Sequence, residues 1–305
     1  MEERLLSANY LVHDDQFLTL CLPNAKLEKL CTGMLWTEGP VYFPQGDFLL
    51  FSDIPNNKMY QWIDGLGRRV YREHSNYSNG NTRDFQGRLI TCEHLSRRVT
   101  RTELDGSISI LVDQYQGKPL NSPNDVVVKR DGSIWFTDPP YGILTSYEGK
   151  KSDQQQEGCF VYRLDPNTKD ISVVARDFDK PNGLAFSPDE KTLYVSDTGL
   201  SHRADGPHHI RHFAVQDHTA LSGGDVFANI KTGVPDGFRI DTAGNLWTSC
   251  ATGVQCFNPQ GTLLGEILVP ETVANIEFGG PKRNRLYITA STSLYAIYVA
   301  TQGLR

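Results

Sequence analysis

Six times along the chain a small polar or acidic residue is followed by a short apolar run, a turn about eight residues on, and a second run rich in Leu, Tyr, Trp, Phe and Val. The six segments are "WTEGPVYFPQG", "SNGNTRDFQGRLITCEH", "SPNDVVVKRDGSIWFTDP", "KPNGLAFSPDEKTLYVSDT", "VPDGFRIDTAGNLWTSC" and "VANIEFGGPKRNRLYITA". Aligned on the leading residue, their anchors are Glu38, Asn79, Asn124, Asn182, Asp236 and Asn275, separated by 41, 45, 58, 54 and 39 residues. The mean of about 47 falls within the roughly 40–50 residues of a four-stranded propeller blade. The recurrence predicts an all-β fold, a six-bladed β-propeller with a central metal site, in a single domain over residues 1–305. Residues 1–33 are expected to complete or cover the last blade. A β-sandwich is the weaker alternative, because chance similarity between its strands does not produce a shared register.

Gly46, Gly87, Gly132 and Gly244 stand where each hairpin needs a backbone with φ above zero. The two long intervals owe their excess to polar, turn-rich stretches at 142–158 and 199–212. Asp53, Asp138 and Asp197 lie 15, 14 and 15 residues after their anchors, where one strand down and one back returns the chain to the same rim. Their expected role is to bind backbone amides of the following turn. The long stretches begin just after Asp138 and Asp197, which places them on the anchor face as a lid.

In a propeller the first strand of each blade lines the central channel, so the six anchors converge at one rim. They comprise one Glu, one Asp and four Asn, with no Lys or Arg among them to balance two carboxylates. Two negative charges in a partly dry channel are costly unless a cation sits between them. Carboxylate and amide oxygens suit a hard divalent ion, with calcium expected and Mg²⁺, Mn²⁺ or Zn²⁺ as alternatives. His94 follows Asn79 by 15 residues and should lie near the mouth, whereas His202, His208, His209 and His212 read as a solvated loop.

Composition narrows the partners. A net charge of −6 with no basic stripe excludes the usual nucleic-acid footprint. Six cysteines without a CxxC pair argue against a disulfide scaffold or zinc knot. The acidic start "MEERLL" is not that of a signal peptide, and the uncharged stretch 286–304 alternates like a strand. A cytoplasmic protein, monomer or homodimer, acting on a small molecule away from membranes and nucleic acid is the expectation.

The pieces "WTEGPVYF", "SDIPNNKMYQW", "TRDFQGRLITCEH", "SPNDVV", "FTDPPYGI", "KPNGLAFSPDEKTLYVSDT" and "PDGFRID" resemble the gluconolactonase and regucalcin (senescence marker protein) superfamily of six-bladed propellers, over the chain from about Asn24 to its end. The resemblance implies metal-dependent hydrolysis of a sugar-acid lactone of the glucono-1,5-lactone type. It also implies that Glu38, Asn182 and Asp236 hold the ion. Asn124 would join the ion or touch substrate, and Asn79 and Asn275 would be rim contacts. Asp236 is then the expected general base, with Arg83, His94 and Tyr141 as candidate contacts to a polyol. Ser122 stands where the regucalcin branch carries Arg, so this sequence is closer to microbial gluconolactonases. Competing readings are a lactonase or organophosphate hydrolase of other specificity, and a non-catalytic calcium-binding propeller.

Overall fold

The computed structural model describes residues 4–304, so residues 1–3 of the N-terminal segment and Arg305 lie outside it. Among the described residues six antiparallel sheets of four or more strands follow one another along the chain and surround a channel, giving a six-bladed β-propeller. Their innermost strands are Thr37–Phe43, Ser78–Arg83, Val126–Val128, Pro181–Phe186, Phe238–Ile240 and Val273–Gly279. Each anchor lies within two residues of the first residue of its inner strand, as the alignment requires.

The inner and second strands are buried on both faces, so they read as nearly continuous apolar or small-residue runs. The outer strand Gly67–Glu73 is largely exposed and charged. The core lies between blades. Trp135, Val161 and Phe178 of the third blade pack against Leu184, Phe186 and Phe213 of the fourth, and each other neighbouring pair has a comparable wedge. Each fully buried Leu or Phe in these wedges contributes roughly 1.5–3 kcal/mol relative to exposure.

The N-terminal segment divides its pairing between two blades. Glu28–Thr32 adds the outermost strand to the last blade by pairing with Ser293–Tyr298. Arg4–Ser7 and Tyr10–Val12 instead extend the fifth blade to six strands, Tyr10–Val12 lying against Leu263–Leu268. The hairpin glycines follow the expectation at Gly87, Gly132 and Gly244, which have φ of 80°, 86° and 87°. Gly46 departs from it: the left-handed residue of that turn is Asp47, with φ of 48°. Among the described residues no helix is long and apolar enough to cross a membrane.

Candidate functional site

The anchors meet because the inner strands are locked to one another through their backbones. Gly80 N–H donates to the Asn124 carbonyl at 2.8 Å, Gly183 N–H to Asp236 at 3.1 Å, and Gly237 N–H to Ala274 at 2.7 Å. Hydroxyls from second strands seal the joins, with Ser52 Oγ donating to Asn79 O, Thr137 Oγ1 to Asn182 O and Ser196 Oγ to Asp236 O. A glycine after the anchor is what permits this approach. A Cβ on Gly39 would stand 2.0 Å from Asn79 O, and one on Gly183 would stand 2.4 Å from Asp236 O. The dipeptides that look like turn signals in the sequence are close-packing signals in the fold.

Five anchors, Glu38, Asn79, Asn124, Asn182 and Asp236, line one cavity of about 520 Å³ at this end of the channel. Glu38 is 3% exposed and accepts from Gly39 N and, at 3.0 Å, from Asn275 Nδ2. Burial, and then the charge of Asp125, push its carboxyl up to about 8, against the hydrogen bonds from Gly39 and Asn275 and the charge of Arg239. Asp236 keeps some open surface on the cavity although protein surrounds it. Burial, then the charges of Glu38, Asp125 and Glu148, push its carboxyl well up, opposed by a hydrogen bond from Asn182.

Two carboxylates, one of them raised by the charge of the other and set among amide groups, form a donor set that fits a hard divalent cation. One amide oxygen, Asn79 Oδ1, is buried and has no hydrogen-bond partner. Among the described residues no three His, Cys, Asp or Glu side chains cluster as a metal site. Glu38, Asn124, Asn182 and Asp236 would hold the ion with two carboxylates and two amides.

The charge balance differs from the sequence reading in one respect. Deeper in the channel lie Asp125, 1% exposed with Oδ2 unpartnered, and Arg239, whose Nε donates to Glu277 Oε2 at 2.7 Å. Burial opposes the Arg239 charge, but Glu277, Asp125 and Glu38 outweigh it. A guanidinium therefore does act on the carboxylates, from the level below the anchors.

The two long stretches close over the cavity. Tyr141, Thr145, Tyr147 and Glu148 line it from one, and Thr198, Leu200, Ser201 and His202 line it from the other. They are clasped by the Tyr141 hydroxyl, 2.7 Å from Thr198 Oγ1 and 2.9 Å from Ser201 Oγ. Ser122 Oγ, 2.9 Å from Gly142 N, ties the first stretch to the blade. This is what the serine at that departing position does here. His202 packs 5.4 Å from the Tyr141 ring, while His209 and His212 belong to the strand His209–Gln216. The histidines are thus not one solvated loop, and His202 is a cavity residue that the sequence reading set aside.

His94 is 0% exposed, so it is not a substrate contact. Its Nδ1 is 3.0 Å from the Glu148 carbonyl, which can only accept, so Nδ1 carries the proton. Its Nε2 then accepts from Asn79 Nδ2 at 3.2 Å, which turns Asn79 Oδ1 away from the histidine. Burial holds the imidazole down to about 4, outweighing the Glu148 hydrogen bond, and this keeps it neutral.

Two other expected substrate contacts are also displaced. Arg83 lines a separate cavity of about 480 Å³ that also contains Arg239 and Glu277, and its Nε donates to Tyr42 O at 3.1 Å. The strand rises about 3.3 Å per residue, which carries a residue four past Asn79 towards the far end of the channel. Asn275 lies outside the anchor cavity and supports Glu38 from the side.

Asp53, Asp138 and Asp197 bind backbone amides of the segment preceding their own blade's anchor, and Asp197 also accepts from Gly199 N of the turn that follows it, as expected. Asp138 accepts from Asn121 N and Ser122 N, and Asp197 accepts from Asp179 N and Lys180 N, all at 2.8–2.9 Å. Asp53 does the same for Leu35 and Trp36. They fix the entry to the inner strand, and hence the anchor's position.

The model of the SMP-30/gluconolactonase/LRE-like region matches residues 36–292. A gluconolactonase of Zymomonas mobilis subsp. mobilis is 31% identical over 301 residues, covering 91% of this chain and 82% of that protein. The pentonolactonase XacC of Haloferax volcanii is 25% identical over 263 residues, covering 83% of this chain and 81% of its own. The solved structure of a Xanthomonas campestris gluconolactonase is 38% identical, covers 95% of this chain and 94% of that one, and superposes with a TM-score of 0.89.

Proposed function

The chain belongs to the SMP-30/gluconolactonase/LRE-like family, and from that premise we propose that it is a hydrolase that opens a sugar-acid lactone of the glucono-1,5-lactone type to the aldonic acid. The observation that carries the reading is the convergence of Glu38, Asn124, Asn182 and Asp236 on one cavity. A lactone is an uncharged cyclic ester, and its hydrolysis needs stabilisation of the carbonyl oxygen and a group that takes a proton from water.

A divalent cation, calcium by the donor chemistry, held by these four residues would supply Lewis-acid polarisation of the lactone carbonyl. The chain's own residues do the rest. Asp236, which lines the cavity beside the site of the reacting ester, takes the proton of the attacking water at its carboxylate. Asn182, hydrogen-bonded to Asp236, orients that carboxylate. Asn79, fixed by His94, lines the cavity with its amide oxygen left without a protein partner. The clasped stretches around Tyr141 limit water to the molecules that react.

The test is hydrolysis of glucono-1,5-lactone above its spontaneous rate. Asp236→Asn is expected to lower kcat by on the order of 10²–10⁴, the usual contribution of a general base. Glu38→Gln is expected to remove activity by weakening ion binding, with the circular dichroism spectrum of both variants unchanged. Wild-type turnover in both variants would overturn the reading.

A further inference from the structure

The roof of the cavity carries one strong acceptor that the protein leaves unspent. The Tyr141 hydroxyl is shared with Thr198 and Ser201, Ser201 Oγ lies 2.9 Å from His202 Nδ1, and Thr198 Oγ1 donates to Lys180 O. Thr145 Oγ1 accepts from Tyr147 N. Glu148 lines the same cavity, only partly exposed, yet its carboxylate has no hydrogen-bond or ion-pair partner among the described residues.

Its position is set by its backbone. The Glu148 carbonyl accepts from His94 Nδ1, and Lys150 N donates to Gly142 O at 3.0 Å. Gly149 lies so close to Gly142 that a Cβ there would stand 2.2 Å from the Gly142 carbonyl oxygen.

Glu148 lines the same cavity as Asp236, near enough for its charge to act on that carboxyl, so a lactone with its ester end beside Asp236 brings its ring hydroxyls within reach of Glu148. A carboxylate only accepts hydrogen bonds and offers two oxygens, which suits a pair of neighbouring hydroxyls. A ring without hydroxyls would leave the same carboxylate enclosed and unmatched, the situation that gives a site its strongest discrimination.

Resting on the lactonase reading, we propose that Glu148 is the specificity-determining residue that reads the ring hydroxyls, so that the enzyme selects polyhydroxylated lactones over unsubstituted ones of the same ring size. Replacing the side chain leaves the backbone carbonyl that holds His94 in place, so a loss can be assigned to the carboxylate.

The experiment compares wild type, Glu148→Gln and Glu148→Ala on glucono-1,5-lactone and δ-valerolactone. The ratio of kcat/KM for the hydroxylated over the unsubstituted lactone is expected to fall by about tenfold or more in Glu148→Ala, through a rise in KM, and by less in Glu148→Gln, which keeps one acceptor oxygen. Direct binding of the non-hydrolysed lactams of the same two rings, measured by calorimetry, should show the same loss of discrimination. Equal loss on both lactones, centred on kcat, would overturn the proposal and make Glu148 a proton acceptor. An unchanged ratio would overturn it outright. A wild type that opens neither lactone would contradict the lactonase reading, while the lactam pair would still decide what Glu148 does.

Discussion

At Asn79 an amide with two chemically different ends stands where only one of them can serve the cavity, and a buried histidine makes the choice. The Glu148 carbonyl fixes the His94 tautomer, His94 fixes the Asn79 amide, and Asn79 Oδ1 is left without a protein partner. His94→Ala should leave the Asn79 amide free to turn and the Glu148 carbonyl without its donor. The expected cost is about 1–3 kcal/mol of stability, with a fall of roughly tenfold in kcat/KM for glucono-1,5-lactone. Thermal unfolding and steady-state kinetics check both, and retention of full activity would remove His94 from the account.

The anchors were legible at this scale because a shared register brings one residue from each blade to one rim. Depth was not. Spacing from Asn79 gives the rim at which His94 lies but not that it sits behind the anchor layer. Aligning one residue per blade also passes over the next layer down, where Asp125 and Arg239 lie. Glu148 belongs to a stretch found in one blade, so no repeat marks it.

Among the elements, closure of the ring depends on a strand taken from far along the chain. Glu28–Thr32 pairs with Ser293–Tyr298, and Glu271 fastens the join. Its carboxylate accepts from Ser293 Oγ, Tyr295 Oη and Thr292 N, and Lys29 of the closing strand lies 3.2 Å away. Burial alone would raise this carboxyl, but the hydrogen bonds from Ser293, Tyr295 and Thr292 outweigh it and bring it down to about 2. A carboxyl depressed in the folded state stabilises fully above its ordinary pKa near 4.5 and loses that contribution as pH falls towards 2. Glu271→Gln should therefore be less stable than wild type at pH 7 by about 1–2 kcal/mol, with the gap closing between pH 4.5 and about 2. Denaturant midpoints measured across that range check it, and a gap independent of pH would refute it.

The six-fold repeat predicts six blades, but local patterning cannot assign the N-terminal strands to partners, because those pairings are set by which outer edges remain open. Hence Glu28–Thr32 joins the last blade while Tyr10–Val12 joins the fifth.

Across the whole molecule, one arrangement serves both stability and chemistry. The wedges of core between blades hold the inner strands close enough for backbone bonds between three neighbouring pairs, and that closeness brings carboxylates together at one end. The chain offsets part of the repulsion with Arg239 below and leaves the remainder at Glu38 and Asp236. In this account a dication completes the balance, and the lactone carbonyl is activated where the two carboxylates meet.

The central claim is tested most directly by a pH-stat assay of glucono-1,5-lactone opening with protein stripped of metal by a chelator, spontaneous hydrolysis subtracted, before and after calcium is returned. The account predicts background rate in the stripped protein, recovery on adding calcium, and no recovery in Asp236→Asn. Full turnover by the stripped protein, or recovery in that variant equal to wild type, would contradict it.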